Sequence, residues 1–567
     1  MKSRWPVAVV IILVTCVFAG YVAYPLGALV LESLRSDGGM SFFQYQSLLD
    51  TSRAANIEAV WNSVWVSLVS VLLSGILGLF LAFVFTQFEF PFRALCSRLA
   101  ILPVALPPLI GVLAFLFAFG ESGIISRGLQ TLLGLREPPL ALSGVGGILF
   151  VHVYSFHVYF LLFASAAFRQ VDRSQLEAAS GLGARPWYTF RRVMVPALRP
   201  SLIAASILTF MGSMASFTAP LIFAGDRHFM TLEIYTTKLN GDIRLAAAQS
   251  VLLTLVSVVF ALLVQNYRSP GGAGEGLKGV GSVGKLPLAR WVRRLMIPVA
   301  VFILILELLP VATILLLSFA REGSWTMQWL PAAYTTANYT GLVGDPAQME
   351  PLLNSGGMAL LAMAGSLIFG IAAGYGIAMG GSRRIRKLAL VLLTIPYAVP
   401  GTVVAIAFIL AFNVPTFLSA STVLVGTYWI LPLAYFVREY PIIVRSASAA
   451  LERLDRGLLD AAAGLGAGLW RRFRYVVLPA ILPAVVAGGA LVAIGALGEF
   501  VTSVLLYSYE TRPASVEIYA QLRLFNIGAA AAYSVVLMVA VLGLLFVAGR
   551  IGSRSPGAEP GYQGLTL

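Results

Sequence analysis

Long uninterrupted apolar runs constrain this chain more than any other feature of its sequence. A helix needs about 20 apolar residues to cross the hydrocarbon core of a bilayer, which is about 30 Å thick. Twelve runs meet that length, at approximately residues 6–31, 61–86, 99–118, 142–167, 201–224, 245–266, 295–319, 353–380, 388–412, 422–445, 484–507 and 530–550. The period-two alternation of a membrane barrel is absent, so the runs are predicted to be helices. The sequence therefore predicts an all-α, polytopic membrane protein with about twelve transmembrane helices.

The composition and the placement of charge agree with this class. Hydrophobic residues make up 59% of the 567 positions and charged residues only 11%, which is too few for the surface of a soluble protein of this size. The net charge of +14 could indicate a nucleic-acid partner. With a cytoplasmic N-terminus, however, 28 Lys and Arg lie inside, 10 lie outside and only Arg438 lies within a run. This distribution follows the positive-inside rule, and it predicts cytoplasmic N- and C-termini and no nucleic-acid partner.

The first run could be a cleaved signal or a membrane span. Lys2 and Arg4 precede it, as in a secretory signal, but the run is too long and no convincing small-residue cleavage site follows. We interpret it as an uncleaved span. Cys16 lies in this run and Cys96 in a short inner loop, so the sequence predicts no external disulfide framework.

One polar segment of the chain occurs twice. Residues 177–184 read EAASGLGA, and residues 460–467 read DAAAGLGA. Aligned without a gap, residues 172–200 and 455–483 are identical at 16 of 29 positions. Because both copies are polar and basic in an otherwise apolar chain, we predict that they lie outside the bilayer as docking surfaces. The alternative is an inner loop that only packs on its own helices.

The repeat extends over two halves of six runs each. Asn62-Ser63 recurs as Asn354-Ser355, and a Pro-x-Ala-x-Pro stretch at 103–107, which predicts a kinked helix, recurs at 396–400. An even number of spans makes the halves parallel, related by an axis along the membrane normal. The predicted units are a first half at 1–266 with its loop at 168–200, a linker at 267–294, a second half at 295–550 with its loop at 451–483, and a cytoplasmic tail at 551–567.

The predicted linker contains a partial nucleotide-binding pattern. Seven of the 17 residues from Ser269 to Lys285 are glycine, which indicates a flexible tether. Residues 279–285 read GVGSVGK, but Leu286 replaces the Ser or Thr that would bind magnesium, and no strand precedes the stretch. We therefore predict no nucleotide site in this chain.

Each copy of the repeated segment combines residue types that suit a contact surface. Alanines give a helix face that a partner can approach closely, and an acidic side chain offers a carboxylate to a basic partner. Glycines permit a positive φ and a sharp turn. These residues are Glu177, Ala178, Ala179, Gly181 and Gly183 in the first copy, and Asp460, Ala461, Ala462, Gly464 and Gly466 in the second.

This pattern resembles the signature of the permease subunits of binding-protein-dependent ABC importers, in which Glu-Ala-Ala is followed by Gly and later by a hydrophobic-Pro pair. The first copy matches in full through Val195-Pro196, whereas the second has Asp460 in place of Glu. A chain with two fused permease units is most similar to the ferric-iron importer permeases, and thiamine and phosphonate importers share that layout. The resemblance implies the type I ABC importer permease fold, in a bacterial inner membrane.

The resemblance also implies partners. Each repeated loop would couple to a separate ATPase subunit, and the likeness of the loops predicts two copies of one ATPase. ATP and magnesium would bind to that partner and no cofactor to this chain, which would have no catalytic residue and would not be an enzyme. A periplasmic binding protein would deliver the solute, expected to be ferric iron, with thiamine, phosphonate or a polyamine as alternatives. The rival class is an ion-coupled secondary transporter of the major facilitator type, which also has two six-span halves.

Three charges fall at similar depth in the predicted spans of the second half: Glu307, Arg438 and Glu499. An ion at mid-bilayer costs roughly 2.5 to 3.5 kcal/mol on insertion scales, so each should face the bundle and find a partner. We hypothesise that Arg438 pairs with Glu307 or Glu499, either as a structural or gating pair or in the translocation path. His152 and His157 are expected to hydrogen-bond neighbouring helices, and no metal site is predicted.

Overall fold

The computed structural model describes residues 5–50, 54–171, 173–266, 285–286, 288–326, 328–379 and 382–552. Most of the predicted linker, including the glycine-rich stretch up to residue 284, and nearly all of the predicted tail lie outside these residues. The boundaries of the halves, the linker and the tail therefore stay predictions.

Helices make up almost all of the described chain, which confirms the predicted all-α class. The first half contains α1 (Trp5–Phe18), α2 (Tyr24–Ser33), α3 (Phe43–Leu49), α4 (Ala54–Gln87), α5 (Arg93–Leu99), α6 (Leu102–Ala105), α7 (Pro108–Phe119), α8 (Ile124–Leu133), α9 (Gly144–Gln170), α10 (Arg173–Gly181), α11 (Pro186–Thr189), α12 (Val195–Met214), α13 (Thr218–Phe223), α14 (Met230–Leu239) and α15 (Ile243–Asn266). The second half contains α16 (Arg290–Leu317), α17 (Ala337–Gly344), α18 (Pro346–Met379), α19 (Arg383–Ala398), α20 (Gly401–Phe412), α21 (Ile430–Arg453), α22 (Arg456–Gly464), α23 (Leu469–Arg472), α24 (Leu478–Leu497), α25 (Val501–Leu506), α26 (Ala514–Arg523) and α27 (Ile527–Gly552). Two short strands, β1 (Arg35–Ser36) and β2 (Gly39–Met40), pair antiparallel after α2.

Within the described residues, ten helices are long and apolar enough to cross a bilayer, and the bent pair α19 and α20 makes eleven if it counts as one span. The remaining predicted run, at 422–445, overlaps α21, which begins eight residues later than predicted and carries Arg438, Glu439 and Arg445. With these ionisable side chains, α21 is not among the helices apolar enough to count as a candidate span. α21 packs against α18 and α24, so protein rather than lipid surrounds much of it.

Proline pairs break the third run of each half. Leu106 lies between α6 and α7 in an extended conformation (φ −81°, ψ 132°), so the helix is interrupted where a kink is predicted. Val399 holds the equivalent place between α19 and α20 (φ −83°, ψ 127°). A following proline pushes a residue out of the helical region, which explains both breaks. The predicted span at 388–412 is therefore not a straight helix, because α19 and α20 meet at 97°.

The opening helices of each half pack against the opposite half. α1 packs on α18 and α2 on α20, and the Tyr21 hydroxyl donates to the Leu418 carbonyl at 2.9 Å. In the same way α16 packs on α7, and the rings of Trp325 and Phe117 lie 6.1 Å apart. One buried apolar cluster accordingly spans both halves. The halves form one continuous body rather than two separate bundles.

Equivalent hydrogen bonds recur in the two halves. The Ser63 hydroxyl on α4 accepts from the Met230 amide at 3.0 Å, and the Ser355 hydroxyl on α18 accepts from the Ala514 amide at 2.8 Å. Each bond ties a long helix to the first residue of α14 or α26. The sequence repeat is therefore a repeat of structure, down to individual polar contacts.

Candidate functional site

Each copy of the repeated segment folds into the same helical elbow. The first elbow, residues 173–195, contains α10, α11 and a π-helical turn at Phe190–Met194. The second elbow, residues 456–478, contains α22, α23 and a π-helical turn at Phe473–Val477. Each π-helical turn runs directly into a long helix, α12 in the first half and α24 in the second. Any force applied to an elbow therefore acts on the end of a long helix.

A left-handed glycine makes the bend of each elbow. Gly183 has φ +76° and Gly466 has φ +80°. The amide one residue after each glycine donates to the carbonyl five residues earlier, at 3.0 Å in both copies, as in a Schellman helix end. Gly181 and Gly464 are instead the last residues of α10 and α22 and do not have a positive φ. The expectation that these two glycines form the turn is wrong, because the helix continues through them and the chain bends two residues later.

The predicted contact residues lie on the outward face of each elbow. The exposed members are Glu177, Ala178, Asp460 and Ala461, and the half-buried members are Ala179 and Ala462. On the opposite side of α10, Leu176 is buried in the apolar cluster formed by α4, α9 and α12. The short helix is thus attached by one face and presents its acidic and small residues on the other.

The most exposed apolar side chains of the elbows occupy equivalent positions. Leu182 and Leu465 are each 89% exposed at the bend, and Trp187 and Trp470 are 70% and 73% exposed. Repeated exposure of large apolar side chains is typical of interaction surfaces. The two leucines were not among the predicted site residues, although their identity in both copies was a signal that could have identified them.

An aromatic contact attaches each elbow to its own half. Phe190 packs edge-on against Phe83 of α4, with centroids 5.6 Å apart, and Phe473 packs edge-on against Tyr375 of α18 at 5.4 Å. Each phenylalanine also stacks on the exposed tryptophan of its elbow, at 5.7 and 5.9 Å. The exposed surface is therefore connected through stacked rings to a membrane helix of the same half.

The π-helical turns are reproduced residue for residue. Val195 donates its amide to the Phe190 carbonyl, and Leu478 donates to the Phe473 carbonyl, each across five residues. The residue that follows each donor is a proline, which has no N–H to continue the ordinary α-helical pattern. Such wide turns occur often at functional sites, and here each forms the last part of its elbow, directly before the long helix.

The far ends of α12 and α24 meet at the boundary between the halves. Phe217 follows α12 and Phe500 follows α24, and their ring centroids are 6.1 Å apart. Each ring also packs edge-on against the tyrosine of its own half, Tyr235 at 5.4 Å and Tyr519 at 5.5 Å. Both phenylalanines are 1% exposed, so the space between the halves is closed at this level.

Arg438 on α21 pairs with Glu499, one of the two partners that the sequence predicts. The Arg438 guanidinium donates to Glu499 Oε2 at 2.5 Å, and the Thr502 amide donates to Glu499 Oε1 at 2.8 Å. Glu499 lies next to Phe500, so the ion pair adjoins the closed boundary. The equivalent first-half positions, Ser155 and Ser216, carry no charge.

Glu307 contacts a different residue, His157 on α9 of the first half. His157 Nε2 lies 3.3 Å from Glu307 Oε1, and both side chains are buried. The His157 Nδ1 faces two backbone carbonyl oxygens, those of Val153 at 3.1 Å and Tyr154 at 2.9 Å. Nδ1 must therefore carry a proton, and Nε2 and the carboxylate can approach each other only if a second proton lies between them. The contact joins the two halves, and His157 Nε2 and both Glu307 carboxyl oxygens have no other polar partner within the described residues.

The other buried histidine, His152, bridges three helices. Its Nδ1 lies 2.9 Å from the Ser70 hydroxyl of α4 and 3.1 Å from the Ser213 hydroxyl of α12. This is the interhelical contact that the sequence predicts. No group of three or more His, Cys, Asp or Glu side chains that could hold a metal ion lies within the part of the chain that the structure describes.

Comparison with known proteins identifies the family. The family model described as "Binding-protein-dependent transport system inner membrane component" matches residues 74–270 and again residues 366–554. The "Probable ABC transporter permease protein y4fN" of Sinorhizobium fredii is 29% identical over 500 residues, covering 88% of this chain and 87% of that protein. The "Ferric transport system permease protein FbpB" of Actinobacillus pleuropneumoniae is 24% identical over 533 residues, covering 93% of this chain and 75% of that protein.

A relative that matches one half of the chain is the "Molybdenum transport system permease protein ModB" of Mycobacterium bovis, 30% identical over 256 residues that cover 44% of this chain and 91% of that protein. The two segments matched by the family model make up well over half of the chain, with one segment in each half. This multi-pass protein therefore belongs to the family of inner-membrane permease components of binding-protein-dependent ABC importers, as a chain that carries two permease units.

Proposed function

We propose that the two elbows are the contacts through which this permease is driven, each seated on one copy of the same ATPase subunit. Four observations support a single ATPase type: the elbows share their helix order, their left-handed glycine, their π-helical turn and their exposed leucine. In this arrangement the elbows and both termini lie in the cytoplasm. ATP and magnesium bind to the ATPase, and this chain performs no catalysis. The observation that carries the proposal is the equal 89% exposure of Leu182 and Leu465.

The proposed mechanism uses α12 and α24 as rigid connections. Each has 20 residues, which at 1.5 Å per residue spans about 30 Å. One end of each helix adjoins an elbow, and the other end leads to Phe217 or Phe500. Closure of the ATPase pair would move the elbows, and the helices would change the separation of the two rings. We propose that this aromatic contact is a closed point of the translocation path, with Arg438 and Glu499 beside it.

The solute that we favour is ferric iron. The ferric permease relative matches 93% of this chain, whereas the molybdenum relative matches 44%. The ferric relative therefore resembles the whole two-unit arrangement, and the molybdenum relative resembles one unit. Molybdenum, thiamine, phosphonate and polyamines are the alternatives, and a periplasmic binding protein would deliver any of them. A secondary transporter of the major facilitator type is not supported by the family match.

The docking proposal is tested by introducing charge at the bend of each elbow. Leu182→Asp with Leu465→Asp should abolish co-purification of the ATPase, since a desolvated carboxylate would face an apolar contact. Val343→Asp is the matched control, because Val343 is 74% exposed on α17, far from the elbows in sequence. Retained association of the double variant, or isolation of a complex with two different ATPase chains, would contradict the proposal.

The solute is tested with the complete importer in proteoliposomes. Uptake of ferric iron should require both the ATPase and the binding protein, and 2-aminoethylphosphonate, thiamine, molybdate and spermidine should not compete. Uptake that an ion gradient drives without the ATPase would overturn the proposed energy source. Competition by one of the other solutes would reassign the substrate and leave the docking proposal intact.

A further inference from the structure

We infer that the start of α16 forms a binding site for the phosphate group of an anionic phospholipid. The proposed ligands are the guanidinium groups of Arg290, Arg293 and Arg294. The site is built from residues of α16, and its argument does not depend on the proposed transport function.

The three arginines line an open cavity. Their spacing of i, i+3 and i+4 places them on one face of α16. They line a cavity of about 470 Å³ together with Ile297 and Pro298, which lie one further turn along the same helix. The cavity therefore has a cationic entrance and an apolar continuation. A phospholipid has a matching order, with a charged headgroup followed by apolar acyl chains.

Nearby acidic groups leave this positive charge uncompensated. The closest loop carries Glu89, whose carboxylate lies 2.9 Å from both Arg93 and Lys285. The hydrogen bond from Lys285 lowers the pKa of Glu89, so this carboxylate is ionised at neutral pH and already engaged by two cations. Arg293 donates to the Glu89 main-chain carbonyl instead. In the described part of the chain, no carboxylate oxygen lies within ion-pair distance of Arg290, Arg293 or Arg294.

The surroundings of the cavity favour a lipid over a soluble anion. Trp291 is 67% exposed and Leu295 is 59% exposed on the same segment of α16, and both are the kinds of residue found at a membrane boundary. Arginines immediately beside the cytoplasmic end of a span are where anionic lipid headgroups bind. A soluble phosphate would use the guanidinium groups but not the apolar continuation.

The fold itself does not require these arginines. The repeat aligns Pro310 with Pro25, a shift of 285 residues, and places Trp5, Ala8 and Val9 at the positions of the three arginines. The first half therefore has an uncharged helix at the equivalent place. The arginine cluster is a feature of the second half alone, which supports a local binding role.

The test compares lipid binding to charge-matched variants of the full chain. One variant carries Arg290→Gln, Arg293→Gln and Arg294→Gln. The control carries Arg384→Gln, Arg386→Gln and Lys387→Gln on α19, which removes the same charge elsewhere. Native mass spectrometry would count the phosphatidylglycerol or phosphatidylcholine molecules that each purified protein retains. We expect the first variant to lose affinity for phosphatidylglycerol on the order of 100-fold, and the control to lose much less.

Two further measurements separate the possible causes. Replacing the three arginines with lysines should preserve most phosphatidylglycerol binding, which distinguishes loss of charge from loss of folding. Inorganic phosphate at the same concentration should displace little phosphatidylglycerol. Unchanged binding by the glutamine variant, or an equal loss in the control, would overturn the site. Equal binding of inorganic phosphate and phosphatidylglycerol would overturn the assignment to a lipid.

Discussion

At the scale of single residues, the two halves differ most in the charges that their helices carry inside the protein. Arg438 and Glu499 form an ion pair within the second half, and Glu307 reaches His157 in the first. The sequence indicates that these charges need partners, because an unpaired ion is costly in a membrane protein. It cannot indicate which partners they find. Arg438 and Glu499 are 61 residues apart, and only the packing of α21 against the end of α24 brings them together.

The first prediction concerns the Arg438 and Glu499 pair. Arg438→Leu should lower the free energy of unfolding by about 1 to 3 kcal/mol, because the half-buried Glu499 carboxylate would lose its charged partner. Adding Glu499→Gln should recover a large part of that loss, since the amide can still accept from the Thr502 amide. Denaturant unfolding of the four proteins of this double-mutant cycle measures the coupling. Additive effects of the two substitutions would contradict the pairing.

The second prediction concerns the proton between His157 and Glu307. Glu307→Gln should lower the free energy of unfolding by less than about 1 kcal/mol. A neutral amide N–H can donate to His157 Nε2, as a protonated carboxyl group would. Glu307→Ala should cost about 2 to 3 kcal/mol, because it leaves a cavity and an unsatisfied buried nitrogen. Unfolding in detergent measures both, with Glu322→Ala on the exposed surface as the control. A Gln variant as unstable as the Ala variant would indicate a full ion pair instead.

At the scale of elements, the repeated elbow was the part most open to prediction. Sixteen identical positions predicted a shared structure, and the helix, the turn and the proline at the start of each long helix are found in both copies. The position of the turn was less predictable, since two glycines lie close together and only the last hydrogen bond of the helix decides between them. The proline pairs predicted breaks but not angles, because a proline fixes where a helix ends and not where the next one points. The angle of 97° between α19 and α20 is known only from the structure.

The third prediction tests the bend of the elbows. Gly183→Val should lower the stability of the elbow by about 1 to 2 kcal/mol, because a side chain with a branched Cβ is strained at φ +76°. Gly183→Asn should cost less, because Asn adopts the left-handed conformation more readily. The same order should hold at Gly466. Binding of the ATPase, measured by co-purification, should therefore fall more for Val than for Asn. An equal loss of ATPase binding with Val and Asn would indicate that the bend requires a small residue rather than a left-handed backbone conformation.

At the scale of the whole molecule, one contact between the halves lies at the ends of α12 and α24 that are opposite the elbows. Phe217 and Phe500 are 283 residues apart and meet only because α12 and α24 end at the same boundary. The sequence predicted two parallel halves, but a single sequence contains no signal for a contact of this range. The exchange of opening helices between the halves was missed for the same reason.

The fourth prediction tests whether this boundary opens during transport. Phe217→Cys with Phe500→Cys, in a chain with Cys16 and Cys96 replaced by alanine, should be cross-linked by a short reducible bifunctional thiol reagent. Cross-linking should stop uptake in the complete importer, and reduction should restore it. Each single cysteine variant, treated with the same reagent, is the control. Full uptake by the cross-linked protein would mean that the solute does not pass between these residues.

The exchanged opening helices have a consequence for how the halves can move. α1 of the first half packs on α18 of the second, and α16 of the second half packs on α7 of the first. A tilt of either half would therefore also move a helix of the other half. Rotation of one half would therefore cause rotation of the other. Both sides of the proposed translocation path would widen or narrow together. Such a body would respond as a single unit even if force acted on only one of the two proposed ATPase contacts.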